Sequence, residues 1–137
     1  MSTVDVLRGV PLFSGMTDRA IESIAGMTRE IAFADGDEIV NEGDEADTFI
    51  VLLGGSARVD RGGHPIRELG RGDFLGEMSL LDSGRRAATV TALEPVTALV
   101  VSRSDFRRLI DDFAAVRYDI LSALSQRVRR DASDGII

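Results

Sequence analysis

The chain has 137 residues, 44% of them hydrophobic and 28% charged, which suits one globular domain able to bury a core of its own. It contains no cysteine, so a disulfide framework and a thiolate metal site are both excluded. All 16 basic residues are arginine and the formal net charge is −7, so direct nucleic-acid binding would need a concentrated basic face, and the sequence offers none. The absence of lysine points to a GC-rich, bacterial source. No apolar run is long enough to span a membrane, and Met1 to Arg8 lacks the form of a signal peptide, so no membrane partner and a cytoplasmic location are expected.

Val4 to Arg8 reads as a short helix that stops before Gly9 and Pro11. Thr17 is the expected N-cap of a second helix, because Asp18 lies in the first turn and Ala20, Ile21, Ile24 and Ala25 form one apolar face; Gly26 closes it. From Thr28 to Ser102 the pattern changes to short β-like runs: 29–34, 38–41, 48–53, 56–60, 66–69, 87–92 and 97–102. Turn residues separate them at Asp35-Gly36, Glu42-Gly43-Asp44, Gly54-Gly55, Arg61-Gly62-Gly63 and Glu94-Pro95. Many short strands at this spacing predict a sandwich or barrel. The single histidine, His64, falls at a hairpin turn and is read as exposed. Ser104 is the expected cap of a further helix, with Phe106, Leu109 and Ile110 on one side. A last helix runs from about residue 114 to 130 with a stripe of Val116, Ile120, Leu121, Leu124 and Val128, widened by Ala123. Residues 131–137 are read as a frayed tail. The arginines at 127, 129 and 130 complement the dipole at that helix's C-terminal end.

The chemically informative stretch lies between Gly72 and Val90. Gly72 and Gly76 permit a sharp turn or a close approach of the backbone to a ligand. Glu77 to Leu81 suits one helical turn, whose first amide hydrogens point outward and favour an anion. Arg86 follows nine residues after Glu77 with a planar fork that matches two phosphate oxygens. Glu77 is repelled by that anion but can accept hydrogen bonds from a sugar hydroxyl. The pair suits a phosphorylated sugar. Taken alone, Arg86 would be an ordinary exposed arginine at a strand end, and Glu77 an acid favoured by a helix start.

Gly76-Glu77-Met78-Ser79 followed by Arg86-Ala87-Ala88-Thr89-Val90 resembles the phosphate-binding cassette of the cyclic nucleotide-binding domain family. The glycine punctuation at Asp35-Gly36, Glu42-Gly43-Asp44 and Gly54-Gly55-Ser56 extends the likeness over most of the chain. The resemblance implies a mainly β fold, a β jelly roll with N-terminal helices at about 4–26, the roll at about 28–102 and two C-terminal helices at about 105–130, forming one domain over residues 1–137 without an effector segment. It also implies that Arg86 binds the exocyclic oxygens of a cyclic phosphate and that Glu77 takes the ribose 2′-hydroxyl. By the same resemblance the backbone of Gly76, Ser79 and Ala87 is expected to line the pocket, with Met78 among the ligand-binding residues and Val59 and Leu69 as candidates for its floor.

Three positions depart from or refine the family pattern. Arg85 stands where many members have proline, which leaves two adjacent arginines; Arg86 is chosen because its register to Ala87-Ala88-Thr89 fits. Ser79 replaces the common alanine or glycine and either adds a donor or faces solvent. Ala87 stands where members that prefer cyclic GMP (cGMP) often carry threonine, and so favours cyclic AMP (cAMP). The expected function is a non-catalytic sensor that couples a cyclic nucleotide to movement of the last helix, which could also serve a homodimer or an effector protein. The alternatives are a ligand-free interaction domain of the same fold and the regulatory part of a longer transcription factor, channel or kinase. An enzyme is disfavoured, since one histidine cannot supply a metal set and no nucleophile has a plausible base. No metal is expected.

Overall fold

The computed structural model describes residues 3–13, 15–76 and 85–133. Helix α1 covers Thr3–Arg8, a 3-10 turn follows at Pro11–Phe13, and α2 covers Asp18–Ala25. Thr17 caps α2 as its sequence suggests, its hydroxyl accepting from the Ala20 amide at 3.2 Å. The strands are β1 (Thr28–Phe33), β2 (Glu38–Val40), β3 (Thr48–Gly54), β4 (Ala57–Arg61), β5 (His64–Leu69), β6 (Phe74–Leu75), β7 (Thr89–Ala92) and β8 (Val96–Ser102). Helices α3 (Arg103–Asp112) and α4 (Ala114–Ser133) complete the described chain.

Among the described residues all pairings are antiparallel, and they form two four-stranded sheets, β1-β8-β3-β6 and β2-β7-β4-β5. The flanked jelly roll expected from the sequence is the fold observed. Strand β3 explains how the layers are joined. Its side chains alternate in direction, as in any strand, yet both of its faces are buried, which is why it reads as an unbroken apolar run. Phe49 and Val51 join an outer core with Leu7, Ile24, Phe106, Leu109, Val116 and Ile120, whereas Ile50 and Leu52 join the interior of the roll. Strand β8 divides in the same way, Leu99 and Val101 outward, Ala98 and Val100 inward. The two strands are neighbours over Thr48↔Ser102 to Gly54↔Thr97, so one apolar wall separates the helical layer from the roll.

Several local expectations change. Helix α3 begins two residues earlier than the sequence suggests. Its N-cap is Ser102, which has an extended backbone and whose hydroxyl accepts the Asp105 amide at 3.2 Å. Ser104 sits inside the first turn and meets Ser102 hydroxyl to hydroxyl at 3.3 Å. Ser102→Ala is therefore expected to lose about 1 kcal/mol of stability, the usual effect of an N-cap deletion, while Ser104→Ala changes little. Urea unfolding of the two variants separates these assignments.

On α4, Val116 and Ile120 are buried but Leu121 is 54% exposed, so it lies off the packing stripe. The side chains of Ala123, Leu124 and Val128 lie outside those described, as do residues 134–137, while α4 itself continues through Ser133. The β4–β5 connection is the two-residue turn Gly62-Gly63, with φ of 59° and 81°, and His64 beyond it is exposed. Positive φ at both turn residues matches the right-handed twist of the flanking strands.

Candidate functional site

The described part of the site is assembled from three distant segments: the start of β3, the end of β6, and the approach to β7. Gly76 follows β6 with a φ of 94°, a conformation glycine adopts without strain. A Cβ placed there would collide with the Arg86 guanidinium and approach the Thr48 carbonyl oxygen to 2.8 Å. Both backbone angle and space therefore demand glycine. Its missing side chain is the room in which the arginine lies.

Arg86 is 6% exposed, which overturns the ordinary-surface reading of this residue. Nη2 donates to the Thr48 carbonyl at 3.0 Å and to the Thr48 hydroxyl at 2.9 Å. Burying a guanidinium is costly unless its donors are matched, so these two bonds fix where the fork can rest. The backbone is braced as well, because the Arg86 amide donates to the Asp44 carbonyl and the Gly43 amide to the Arg86 carbonyl, both at 2.9 Å. Arg85 pairs in an isolated bridge with Glu45, is exposed, and donates from Nη1 to the Gly43 carbonyl at 3.0 Å. Consecutive side chains of an extended segment point to opposite sides. That alternation places Arg86 inside and Arg85 outside.

Ala87 is exposed, and its carbonyl accepts from Arg61 Nε at 3.3 Å. Val59 lies half-buried on β4 opposite Val90, and Leu69 is buried on β5 opposite Ala57. Both belong to the apolar interior of the roll. The structure thus brings Gly76 and Arg86 into contact, keeps Ala87 on the adjoining loop and sets Val59 and Leu69 in the roll. Glu77, Met78 and Ser79 lie outside the described residues. Thr48 was not singled out from the sequence, although a polar residue heading the apolar run Phe49-Ile50-Val51-Leu52 is a visible anomaly. A cavity of about 410 Å³ opens elsewhere, between α1 and the roll, lined by Asp5, Val10, Glu30, Leu52, Arg71 and Gly72 among others; Thr48, Gly76 and Arg86 take no part in it. Among the described residues, no three His, Cys, Asp or Glu side chains are grouped to hold a metal, and no helix is long and apolar enough to cross a membrane.

Two sheets packed as a roll, flanked by helices at both ends of the chain and carrying a buried arginine against a glycine, define a helix-flanked jelly-roll domain. Residues 30–113 match the cyclic nucleotide-binding domain family, and the chain belongs to it. It is similar to cGMP-dependent protein kinase isozyme 1 of Drosophila melanogaster, 32% identical over 124 residues that make up 85% of this chain and 16% of the kinase. It is also similar to the cyclic AMP receptor protein of Thermus thermophilus, 30% identical over 90% of this chain and 59% of that protein. A solved structure described as cAMP-bound PfPKA-R superimposes with a TM-score of 0.87 at 25% identity, covering 98% of this chain and 46% of that one. The chain thus spans a sixth to three fifths of these proteins' lengths.

Proposed function

We propose that residues 1–137 form one non-catalytic receptor module for a cyclic mononucleotide, with cAMP as the preferred ligand. The observation that carries this reading is the buried Arg86 fork lying against Gly76. Arg86 grips the exocyclic phosphate oxygens, Glu77 accepts from the ribose 2′-hydroxyl, and the backbone of Gly76, Met78, Ser79 and Ala87 lines the phosphate. Val59 and Leu69 supply apolar floor from inside the roll. The similar proteins are named for both cGMP and cAMP, so the preference for cAMP rests on alanine at position 87.

Ligand binding biases α4 toward a closed position, since a signal requires different affinities for two conformations. Tyr118 and Leu121, 72% and 54% exposed on α4, favour a second role for that helix as a contact surface for a homodimer or an effector protein.

Calorimetric titration with cAMP and cGMP tests the reading. Micromolar or tighter binding of cAMP, about −8 kcal/mol or better, is the expected result. Absence of heat with both nucleotides at high concentration overturns the receptor assignment in favour of a ligand-free interaction domain.

A further inference from the structure

The Arg86 fork is not placed by its own segment alone. Both oxygens of one residue, Thr48, receive Nη2, the carbonyl at 3.0 Å and the hydroxyl at 2.9 Å. The two residues are 38 apart in sequence, so the fold and not local geometry creates the contact. Thr48 is itself held firmly. It opens β3, pairs with Ser102 of β8, and is followed by Phe49, which is fully buried. Just before it, the Asp47 carbonyl accepts the Arg103 amide at 2.9 Å and the Ala46 carbonyl accepts the Arg103 guanidinium. The residue that cradles Arg86 is therefore clamped to the first turn of α3.

We infer that Thr48 is a positioning residue for the anion-binding arginine, its hydroxyl fixing the guanidinium plane before ligand arrives. This rests on the receptor reading above and extends it to a residue that touches no ligand. The physical basis is preorganisation. A guanidinium gains from its rigid fork only when the plane of the fork is already set, and binding is strengthened by whatever ordering has been completed in the free protein. The Thr48 carbonyl is present whatever the side chain, so the hydroxyl is the removable half of the cradle. Serine preserves it; valine keeps the shape and deletes it.

The test compares wild type, Thr48→Val and Thr48→Ser in two ways. The first is the affinity for cAMP and for its two phosphorothioate diastereomers, which differ in the exocyclic oxygen that sulfur replaces. The valine variant should bind cAMP about tenfold more weakly, the usual effect of losing one hydrogen bond to a charged group. It should also discriminate less between the diastereomers, because a loosened fork no longer selects one oxygen. The serine variant should keep both properties. The second is the nitrogen–proton spectrum of the Arg86 guanidinium in ligand-free protein, in which slowly exchanging Nη signals should persist in wild type and Thr48→Ser and disappear in Thr48→Val.

Valine binding like wild type, or weaker binding with the discrimination ratio intact, would reduce Thr48 to an ordinary structural residue and overturn the inference. Should wild type take up no cyclic nucleotide, the receptor reading falls by itself. The guanidinium spectrum then still decides whether the Thr48 hydroxyl fixes Arg86, and unchanged signals in the valine variant overturn it.

Discussion

Replacing Arg86 by alanine should weaken cAMP binding by at least about 100-fold, or about 3 kcal/mol, within the range found when one member of a buried charged pair is truncated. The size of the effect follows from where the side chain lies. A guanidinium on the surface competes with water and salt for its anion, whereas one that is 6% exposed has already shed its water. Lysine should rescue little, because an ammonium is a point charge that cannot reproduce the planar fork resting on both Thr48 oxygens. Arg85→Ala provides the contrast. That side chain is exposed and turned to the Gly43 carbonyl, so its loss should leave affinity within about threefold, as for a solvent-screened contact.

A thermal readout checks the same point independently. A ligand at 100 times its dissociation constant stabilises the folded state by about 2.7 kcal/mol. The melting shift that cAMP produces in wild type should therefore vanish in Arg86→Ala and survive in Arg85→Ala. A shift retained in Arg86→Ala would move the anion contact away from this arginine.

The contrast between these two neighbours also shows what the sequence could and could not supply. A pair of adjacent arginines before an Ala-Ala-Thr-Val run admits either residue as the ligand contact, and register alone favours the second. Their different burial has a physical cause, the alternation of an extended segment braced by Gly43 and Asp44, which turns Arg86 inward and Arg85 outward. Those braces come from more than 40 residues away, where no local pattern points to them. Thr48 escaped notice for the same reason, since its role exists only once β3 is brought beside the cassette.

The roll itself was legible because its strands are short and are followed closely by glycines with positive φ, as at Gly36, Gly43 and Gly55. Strand β6 was not, being two residues long between two turn glycines. The α3 cap was missed because Ser102 and Ser104 are both plausible caps by composition. Only the extended backbone of Ser102 and the Asp105 amide on its hydroxyl separate them.

The largest loss of stability should come from a residue outside the site. Phe106 of α3 is fully buried, its ring centroid 4.8 Å from that of Phe49, which in turn lies 5.6 Å from Phe74. Truncating it to alanine removes the aromatic contact and leaves a cavity that the surrounding strands and helices fill only in part. The expected destabilisation is about 3–5 kcal/mol by urea unfolding, a large share of the roughly 5–15 kcal/mol that a domain has in total. Should this variant fail to fold, Phe106→Leu retains much of the volume and should show a smaller loss in the same direction.

The position of the cluster makes the consequence more than structural. Phe49 follows Thr48, and Phe74 precedes Gly76 by two residues, so the three rings pin α3 beneath both segments against which Arg86 rests. Loosening that pin should weaken cAMP binding even under conditions where the variant remains folded. Ile24→Ala is the control, because Ile24 is equally buried in the same core but lies on α2. It should lose about 2–5 kcal/mol and bind cAMP as wild type does. Equal losses of affinity in both variants would mean that the site responds to stability in general. A loss confined to Phe106→Ala would identify the aromatic cluster as the mechanical connection between the arginine cradle and the C-terminal helices.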